Sequence, residues 1–169
     1  PLYCYSYKNL RENVENFKKA FKEIKPLICF SVKSNSNISL LKEIKKLGLG
    51  ADVVSKGELY ASLKAGIDKN KIVFSGVGKT RDEIEYAIKQ KILLINSESL
   101  SEVLAIEAAA KKLNKVVDIG LRLNPDTDAE TLKQISTGKS ENKFGVDKKT
   151  FVKIINLMKQ SKFINIKCL

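Results

Sequence analysis

The fold is decided by the stretch Val-Val-Asp-Ile-Gly-Leu-Arg-Leu-Asn at residues 116–124. One set of alternate residues is wholly apolar: Val117, Ile119, Leu121 and Leu123. The other set combines a valine and a glycine with three polar residues: Val116, Asp118, Gly120, Arg122 and Asn124. Strict alternation predicts a β-strand that packs one face against helices and turns the other toward an interior. Because strands of an open parallel sheet are apolar on both faces, this pattern favours a barrel strand.

Short apolar runs recur along the chain and alternate with helical patterns. The runs are Leu27–Val32, Ala51–Val54, Ile72–Phe74, Ile92–Ile95, Val116–Leu123 and Phe163–Leu169. A first amphipathic helix is predicted over Leu10–Ile24. Three later helices begin with a capping box, in which a hydroxyl and a carboxylate bind free N–H groups at the helix start. The boxes are Ser55 with Glu58, Thr80 with Glu83, and Ser99 with Glu102.

Alternating strands and helices predict an α/β fold, here a TIM-type (β/α)8 barrel that is incomplete, with about five to six βα units. A barrel of this kind takes roughly 250 residues, whereas the chain has 169. We therefore expect residues 1–169 to be a partial barrel domain. The chain starts at Pro1 rather than Met and ends at Cys168 and Leu169 in an apolar run. We expect it to be a truncated, proteolysed or partly observed piece of a longer protein.

The composition excludes several common kinds of catalytic site. There is no His in the chain, so it cannot by itself form a Ser-His-Asp triad, a His-assisted Cys nucleophile or a His-ligated metal site. Three cysteines, Cys4, Cys29 and Cys168, are far apart and lack CxxC spacing. We expect them to be small core residues of a cytoplasmic protein, with neither a disulfide framework nor a metal site.

The chain is strongly basic, with a formal net charge of +12. Such a charge often indicates a nucleic-acid or anionic-membrane partner. However, only three of the 31 basic residues are Arg, the type that suits base recognition, and the lysines are interspersed with acidic residues. No apolar run approaches the roughly 18 residues of a membrane helix. We therefore expect neither a nucleic-acid nor a membrane partner.

Three charged side chains are predicted to meet where the strands end, which is where barrel enzymes carry their active sites. Lys33 follows the first strand run, Asp52 lies in the second and Arg122 in the fifth. A lysine on the inner face of a strand is costly to bury unless it is paired. Two structural interpretations stay open. Lys33 is a solvated residue of the rim, or Arg122 forms an ion pair with Asp118 or Asp52.

Two loops after strands are also candidates for function. Gly76-Val77-Gly78-Lys79 offers N–H groups that suit a phosphate, although a plain turn into the helix at Thr80 is the favoured prediction. The polar stretch from Asp126 to Glu141 leads into Asn142-Lys143-Phe144-Gly145. It predicts a long loop, and long loops on rigid scaffolds are often active-site lids.

Seven motifs occur here in the order in which the diaminopimelate decarboxylases carry them, across nearly the whole chain. They are Val32-Lys33-Ser34-Asn35-Ser36-Asn37, Asp52-Val53-Val54-Ser55-Lys56-Gly57-Glu58-Leu59, Phe74-Ser75-Gly76-Val77-Gly78-Lys79-Thr80, Asn96-Ser97-Glu98-Ser99, Leu121-Arg122-Leu123-Asn124-Pro125, Ile135-Ser136-Thr137-Gly138 and Asn142-Lys143-Phe144-Gly145. The chain therefore resembles the N-terminal part of that family.

The resemblance implies a fold-type III enzyme dependent on pyridoxal 5'-phosphate (PLP), in which an alanine-racemase-like barrel precedes a β domain. It implies removal of the carboxyl group at the D-configured centre of meso-diaminopimelate, which gives L-lysine and CO₂. Lys33 matches the lysine that binds PLP covalently, and Asp52 and Arg122 match cofactor-binding residues beside it. Lys143 matches a lysine of the active-site loop. A lysine in a desolvated, partly cationic pocket suits this chemistry.

The resemblance further implies an amino-acid substrate and a cytoplasmic homodimer in the full-length enzyme. The family's phosphate-binding loop and substrate-binding residues lie beyond position 169, so we expect the isolated chain to be inactive. Where the family usually carries a His, this chain reads Thr131-Leu132-Lys133-Gln134. Two alternatives remain open. One is another decarboxylase of the same fold, acting on ornithine, arginine or carboxynorspermidine, and the other is a non-catalytic PLP-binding barrel.

Overall fold

The computed structural model describes residues 2–125 and 144–169. Within these ranges it contains six strands: β1 (Cys29–Ser31), β2 (Gly50–Val53), β3 (Ile72–Phe74), β4 (Leu94–Ser97), β5 (Val117–Leu121) and β6 (Ile164–Cys168). It also contains six α-helices: α1 (Tyr7–Ala20), α2 (Ile38–Lys46), α3 (Lys56–Lys64), α4 (Arg81–Gln90), α5 (Leu100–Leu113) and α6 (Lys148–Met158). Two single-turn 3-10 helices, Val32–Ser34 and Lys69–Lys71, lie after β1 and before β3.

The six strands form one parallel sheet in the order of the sequence, from β1 to β6. A doubly wound sheet would reverse its strand order at a switch point, whereas a barrel adds each new strand on the same side of the previous one. The sequential order therefore agrees with the first part of a (β/α)8 barrel. The predicted α/β class, with five to six βα units of an incomplete barrel, is confirmed.

The hydrophobic core lies between the helices and the outer face of the sheet. Phe74, Ile95 and Ile119 point outward from their strands and are buried in one cluster with Leu59 of α3 and Ile106 of α5. Burying one such side chain contributes about 1.5–3 kcal/mol to folding. Side chains on the inner face are mostly half-buried, because no other described element covers them. The sheet thus has a packed outer face and an accessible inner face.

The alternation predicted for β5 is present. Val117, Ile119 and Leu121 are buried, whereas Asp118 between them is only half-buried. Leu123, predicted to join the apolar face, is 40% exposed. The reason is that β5 ends at Leu121, two residues earlier.

The capping residues predicted at three helix starts all bind the backbone. The box of α4 is complete, since Thr80 Oγ1 accepts from the Glu83 N–H at 3.3 Å and the Glu83 carboxylate accepts from the Thr80 N–H at 3.0 Å. At Ser55 and Ser99 the hydroxyl also caps its helix, but the glutamate reaches the N–H of the residue before the cap. The glutamates of α3 and α5 therefore stiffen the ends of the preceding strands as well as their helices.

The first helix differs from its predicted bounds. It begins at Tyr7, because the Ser6 hydroxyl accepts a hydrogen bond from the Asn9 N–H at 3.3 Å, and it ends at Ala20 rather than Ile24. None of the helices in the described part of the chain is long and apolar enough to cross a bilayer.

The prediction that the cysteines are core residues is wrong. Cys4 and Cys168 are exposed and Cys29 is half-buried. Cys4 precedes α1, and the other two thiols lie on the inner face, beside Gly50 and Gly120 respectively. Small side chains on that face are not covered by a second layer of the described chain.

Candidate active site

Lys33 lies just beyond the carboxyl end of β1, in the 3-10 turn Val32–Ser34. It was predicted to end the strand itself, but β1 stops at Ser31, where the Ser34 hydroxyl donates to the Ser31 carbonyl at 2.8 Å. Because Ser31 pairs with Asp52, Lys33 follows the strand at the same rim as that aspartate. Lys33 is exposed, and within residues 2–125 and 144–169 its ammonium has no hydrogen-bond or ion-pair partner. The described residues thus leave the amine accessible and do not form the desolvated pocket that was expected around it.

A row of three hydrogen-bonded side chains crosses the inner face at this rim. The Ser75 hydroxyl donates to Asp52 Oδ1 at 2.6 Å, and Asn96 Nδ2 donates to Ser75 Oγ at 3.1 Å. The bond to Asp52 is charge-assisted, which makes it one of the stronger kinds of hydrogen bond. Asp52 comes from β2, Ser75 directly follows β3 and Asn96 lies in β4. The row therefore fixes the Asp52 carboxylate through three neighbouring strands.

Gly120 of β5 makes room for this row. A Cβ atom at Gly120 would lie 2.2 Å from Asn96 Oδ1 and 2.8 Å from Cys168 Sγ. Both distances are shorter than real contacts of a Cβ atom, so a larger residue would displace the Asn96 side chain. Gly120 is therefore part of the site because it has no side chain, which leaves room for Asn96.

Arg122 contacts a buried carboxylate on one side and an aromatic ring on another. Its Nη1 lies 3.2 Å from both oxygens of Glu98, and its guanidinium carbon lies 4.9 Å from the centre of the Phe144 ring. The Glu98 side chain is 3% exposed and the Arg122 side chain 41%. The ion pair predicted with Asp118 or Asp52 is therefore corrected to Glu98, while Asp118 accepts a hydrogen bond from an asparagine of β6.

A short bridge joins the segment after residue 143 to the end of β5. The Val146 N–H donates to the Arg122 carbonyl at 2.8 Å. Gly145 adopts a φ of 79°, and a Cβ atom there would lie 2.7 Å from the same carbonyl oxygen. This bridge brings Phe144 onto the guanidinium of Arg122. The predicted loop residue Lys143 lies outside the described residues, as does the rest of the loop.

The loop at residues 76–79 is a turn into α4, as the favoured prediction had it. The lysine of this loop is buried. The Lys79 side chain is 1% exposed, and its Nζ lies 2.6 Å from Glu102 Oε1. The same ammonium donates to the carbonyls of Gly76 at 2.7 Å and Asn96 at 2.6 Å. All three of its protons are thereby used, as burial of a lysine requires. Lys79 is not available to a phosphate.

Cys29 lies on the inner face next to Asp52. Burial, and secondarily the negative charge of Asp52, raises the pKa of the Cys29 thiol to about 11. The thiol is therefore protonated near neutral pH. Because the thiolate is the nucleophilic form, the raised pKa lowers the reactivity of Cys29.

The sequence does not single out three residues near this rim: Ser75, Asn96 and Glu98. The fourth apolar run was ended at Ile95, whereas β4 continues to Ser97. Extending the alternation by one step places Asn96 on the inner face and Ser97 on the buried outer face. The alternation of polar and small residues at the end of the strand is the signal that identifies Asn96.

Residues 7–168 match the family described as pyridoxal-dependent decarboxylase, pyridoxal binding domain. The chain belongs to this family. The diaminopimelate decarboxylase of Helicobacter pylori strain J99 is 47% identical to it over 164 residues, which are 97% of this chain and 40% of that protein. The chain thus spans about 40% of the length of this decarboxylase relative.

Solved structures of pyridoxal-dependent decarboxylases share the fold. The crystal structure of the Helicobacter pylori diaminopimelate decarboxylase complexed with L-lysine gives a TM-score of 0.93 at 44% identity, over 97% of this chain and 42% of that one. The arginine decarboxylase of Paramecium bursaria Chlorella virus gives 0.70 at 22% identity, over 94% of this chain and 41% of that one, which shows the fold alone. The resemblance to the diaminopimelate decarboxylases is confirmed.

The side chains at the rim fit the cofactor named by the family. Pyridoxal phosphate needs an accessible lysine amine and polar and cationic groups around it. Lys33 supplies the exposed amine, Arg122 a cation that is 41% exposed, and Asp52 a carboxylate fixed on the open inner face. In the described part of the chain, no three His, Cys, Asp or Glu side chains are grouped so as to hold a metal ion.

Proposed function

We propose that this chain is the N-terminal part of a barrel enzyme that converts meso-diaminopimelate to L-lysine and CO₂. The observation that carries the proposal is the 47% identity to a diaminopimelate decarboxylase over 97% of the chain. That relative is more than twice as long, so the second half of the barrel and a β domain would be contributed by residues outside 1–169. The full-length enzyme would act as a cytoplasmic homodimer, without a nucleic-acid or membrane partner.

The proposed roles follow from position and charge. Lys33 would hold the cofactor through its free amine, and Asp52 and Arg122 would bind it from β2 and the end of β5. Lys143 would belong to the active-site loop. When bound, pyridoxal phosphate supplies the electron sink that accepts the electron pair released as the carboxyl group leaves. The protein supplies binding, orientation and the electrostatic environment.

The residues around these three act on orientation. Ser75 donates a hydrogen bond to Asp52 and accepts one from Asn96, so the Asp52 carboxylate keeps one direction. Glu98 holds Arg122 from the buried side while Phe144 covers part of its guanidinium. The cation is thereby fixed with its remaining surface toward the rim. Such fixed charges act without reorganisation during the reaction.

The test uses the full-length protein with pyridoxal phosphate. We expect the absorption band of a lysine-bound cofactor, and after borohydride reduction we expect the label on the peptide that contains Lys33. Lys33→Ala should lose the label and lose turnover by several orders of magnitude. Lys42→Ala is a matched control, because Lys42 is also an exposed lysine without a partner in the described ranges. A label that maps elsewhere would contradict the assignment.

Substrate class is tested in the same preparation. We expect release of CO₂ from meso-diaminopimelate and much slower release from ornithine, arginine and carboxynorspermidine. Faster turnover of one of those three would favour another decarboxylase of this fold, of which the viral arginine decarboxylase is an example. Cofactor binding without any release of CO₂ would favour a non-catalytic PLP-binding barrel. Residues 1–169 alone should be inactive.

A further inference from the structure

The buried ion pair of Lys79 and Glu102 contacts the backbone on both sides of the candidate site. Lys79 Nζ lies 2.6 Å from Glu102 Oε1, and the two side chains are 1% and 9% exposed. Lys79 lies directly before α4 and Glu102 in the first turn of α5. Neither charged group faces the rim where Lys33 is accessible. The pair therefore acts on the site only through the groups to which it is hydrogen-bonded.

Hydrogen bonds donated by Lys79 connect the ion pair to Asp52. Lys79 donates to the carbonyl of Asn96 at 2.6 Å and to the carbonyl of Gly76 at 2.7 Å. Asn96 and Ser75, which precedes Gly76, are the two residues whose side chains connect to Asp52. The lysine thus fixes the backbone at Asn96 and directly after Ser75. Loss of its donors would release the ends of β3 and β4.

A hydrogen bond accepted by Glu102 connects the ion pair to Arg122. The Glu102 oxygen that does not bind Lys79 accepts a hydrogen bond from the Glu98 N–H at 3.1 Å. Glu98 in turn holds the Arg122 guanidinium with both of its oxygens. Asn96 and Glu98 flank Ser97 at the end of β4. One ion pair therefore fixes the two residues that reach Asp52 and Arg122 respectively.

Stability alone does not require charges at these two positions. Replacing a buried ion pair by apolar residues of similar size is often neutral or stabilising, because the charges must be removed from water. Here Lys79 donates to Glu102 and to the carbonyls of Gly76 and Asn96. The second Glu102 oxygen accepts from the Glu98 N–H, so every donor and acceptor of the pair is bound. What the charged pair adds is a defined position for the ends of β3 and β4.

We propose that Lys79 and Glu102 are positioning residues of the active site, which set the geometry of Asp52 and Arg122 toward the cofactor. The proposal rests on the proposed function for its catalytic consequence. Groups that orient directly binding residues typically change affinity or activity by about ten- to a hundredfold when they are removed. A loss of that size in a well-folded variant is the expected signature.

The test is the double variant Lys79→Met/Glu102→Leu in the full-length protein. It removes both charges together, so neither is left buried without a partner. Its matched control is Lys112→Met/Glu85→Leu, because Lys112 and Glu85 form a second ion pair at 2.6 Å between α4 and α5. The control pair is more exposed and has no hydrogen bond to the strand ends. Both variants are compared with the unchanged protein for thermal midpoint, Kd of pyridoxal phosphate, kcat and KM.

We expect the Lys79/Glu102 variant to fold with a lower thermal midpoint, because the Gly76 and Asn96 carbonyls and the Glu98 N–H each lose a hydrogen-bond partner. Its Kd for pyridoxal phosphate should rise, and its kcat fall, by about ten- to a hundredfold. The control should match the unchanged protein in both values. A folded Lys79/Glu102 variant with unchanged Kd and kcat overturns the proposal. If that variant does not fold, Glu102→Gln decides. Its amide has an oxygen at only one of the two positions that accept from Lys79 and from the Glu98 N–H, so unchanged Kd and kcat in it also overturn the proposal.

Hydrogen–deuterium exchange separates this proposal from the proposed function. Exchange should increase in peptides covering 73–78 and 94–98 in the Lys79/Glu102 variant and stay unchanged in the control. If the unchanged full-length protein binds no pyridoxal phosphate, the proposed function fails. The exchange result then still decides whether the pair positions the strand ends. Equal exchange in the variant and the control overturns that role.

Discussion

Gly120→Ala tests whether the glycine of β5 is required by the site. The added methyl group would lie 2.2 Å from Asn96 Oδ1, which is roughly 1 Å or more short of a normal contact. Asn96 must therefore move, and its hydrogen bond to Ser75, at 3.1 Å, is lost. Ser75 then no longer links Asp52 to β4. The substitution is small, but it acts on the centre of the row.

The expected cost follows from three contributions. The steric clash with Asn96 and Cys168 costs about 1–3 kcal/mol, and the lost hydrogen bond costs about 1 kcal/mol. Replacing a glycine outside the left-handed region restores about 0.4–1 kcal/mol by restricting the unfolded chain. The net expectation for Gly120→Ala is a free energy of unfolding lower by about 1–3 kcal/mol.

The assay is urea unfolding of the full-length protein, in which the shift of the midpoint is converted with a common slope. Gly57→Ala is the matched control. A Cβ atom at Gly57 would have Ser55 Oγ as its nearest neighbour at 3.8 Å, which is open enough for a methyl group. Since Gly57 lies in α3, alanine there should be neutral or stabilising by up to about 1 kcal/mol. If Gly120→Ala is as stable as Gly57→Ala, the packing argument is refuted.

Three further outcomes are expected. Gly145→Ala places alanine at a φ of 79° and 2.7 Å from the Arg122 carbonyl oxygen. It should lower the free energy of unfolding by about 1–3 kcal/mol, and an unchanged urea midpoint would contradict the bridge. Thr80→Ala removes half of the complete capping box of α4 and should cost about 1 kcal/mol in the same assay. Because burial raises the pKa of Cys29 to about 11, iodoacetamide should modify it more slowly than exposed Cys4 near neutral pH. Its rate should rise about tenfold per pH unit until that pKa, and a plateau reached below about pH 9 would argue against the raised pKa.

Periodicity was sufficient to find the six strands and the rim at which they end. Outward residues such as Ile119 must be apolar to pack against helices, and this leaves a period of two that is visible in the sequence. Asp52 and Arg122 follow from the same rule, because parallel strands end at one rim. The helix starts were visible because a hydroxyl such as that of Thr80 has a specific backbone partner. These features depend on local chain geometry.

The partners of the charged side chains depend on register and were not visible. Arg122 meets Glu98 because Leu121 of β5 pairs with Ser97 of β4. The amino-acid sequence does not define which residues of two neighbouring strands pair. In the sequence, Lys79 looks like one of the many solvated lysines that stand between a strand and a helix. It is buried only because α4 packs against α5. The burial of Cys29 and Cys168 depends on whether another layer covers the inner face, which the sequence of this chain does not show.

The sequential strand order also has a consequence for biosynthesis. Each of the strands β2–β6 pairs with the strand that precedes it in the chain. The pairing partner of each new strand has therefore already left the ribosome. No unit has to wait for a distant part of the polypeptide, which keeps the search for partners short. A nascent chain of this kind can grow by docking one unit at a time, while β1 stays at one edge of the sheet and the newest strand forms the other.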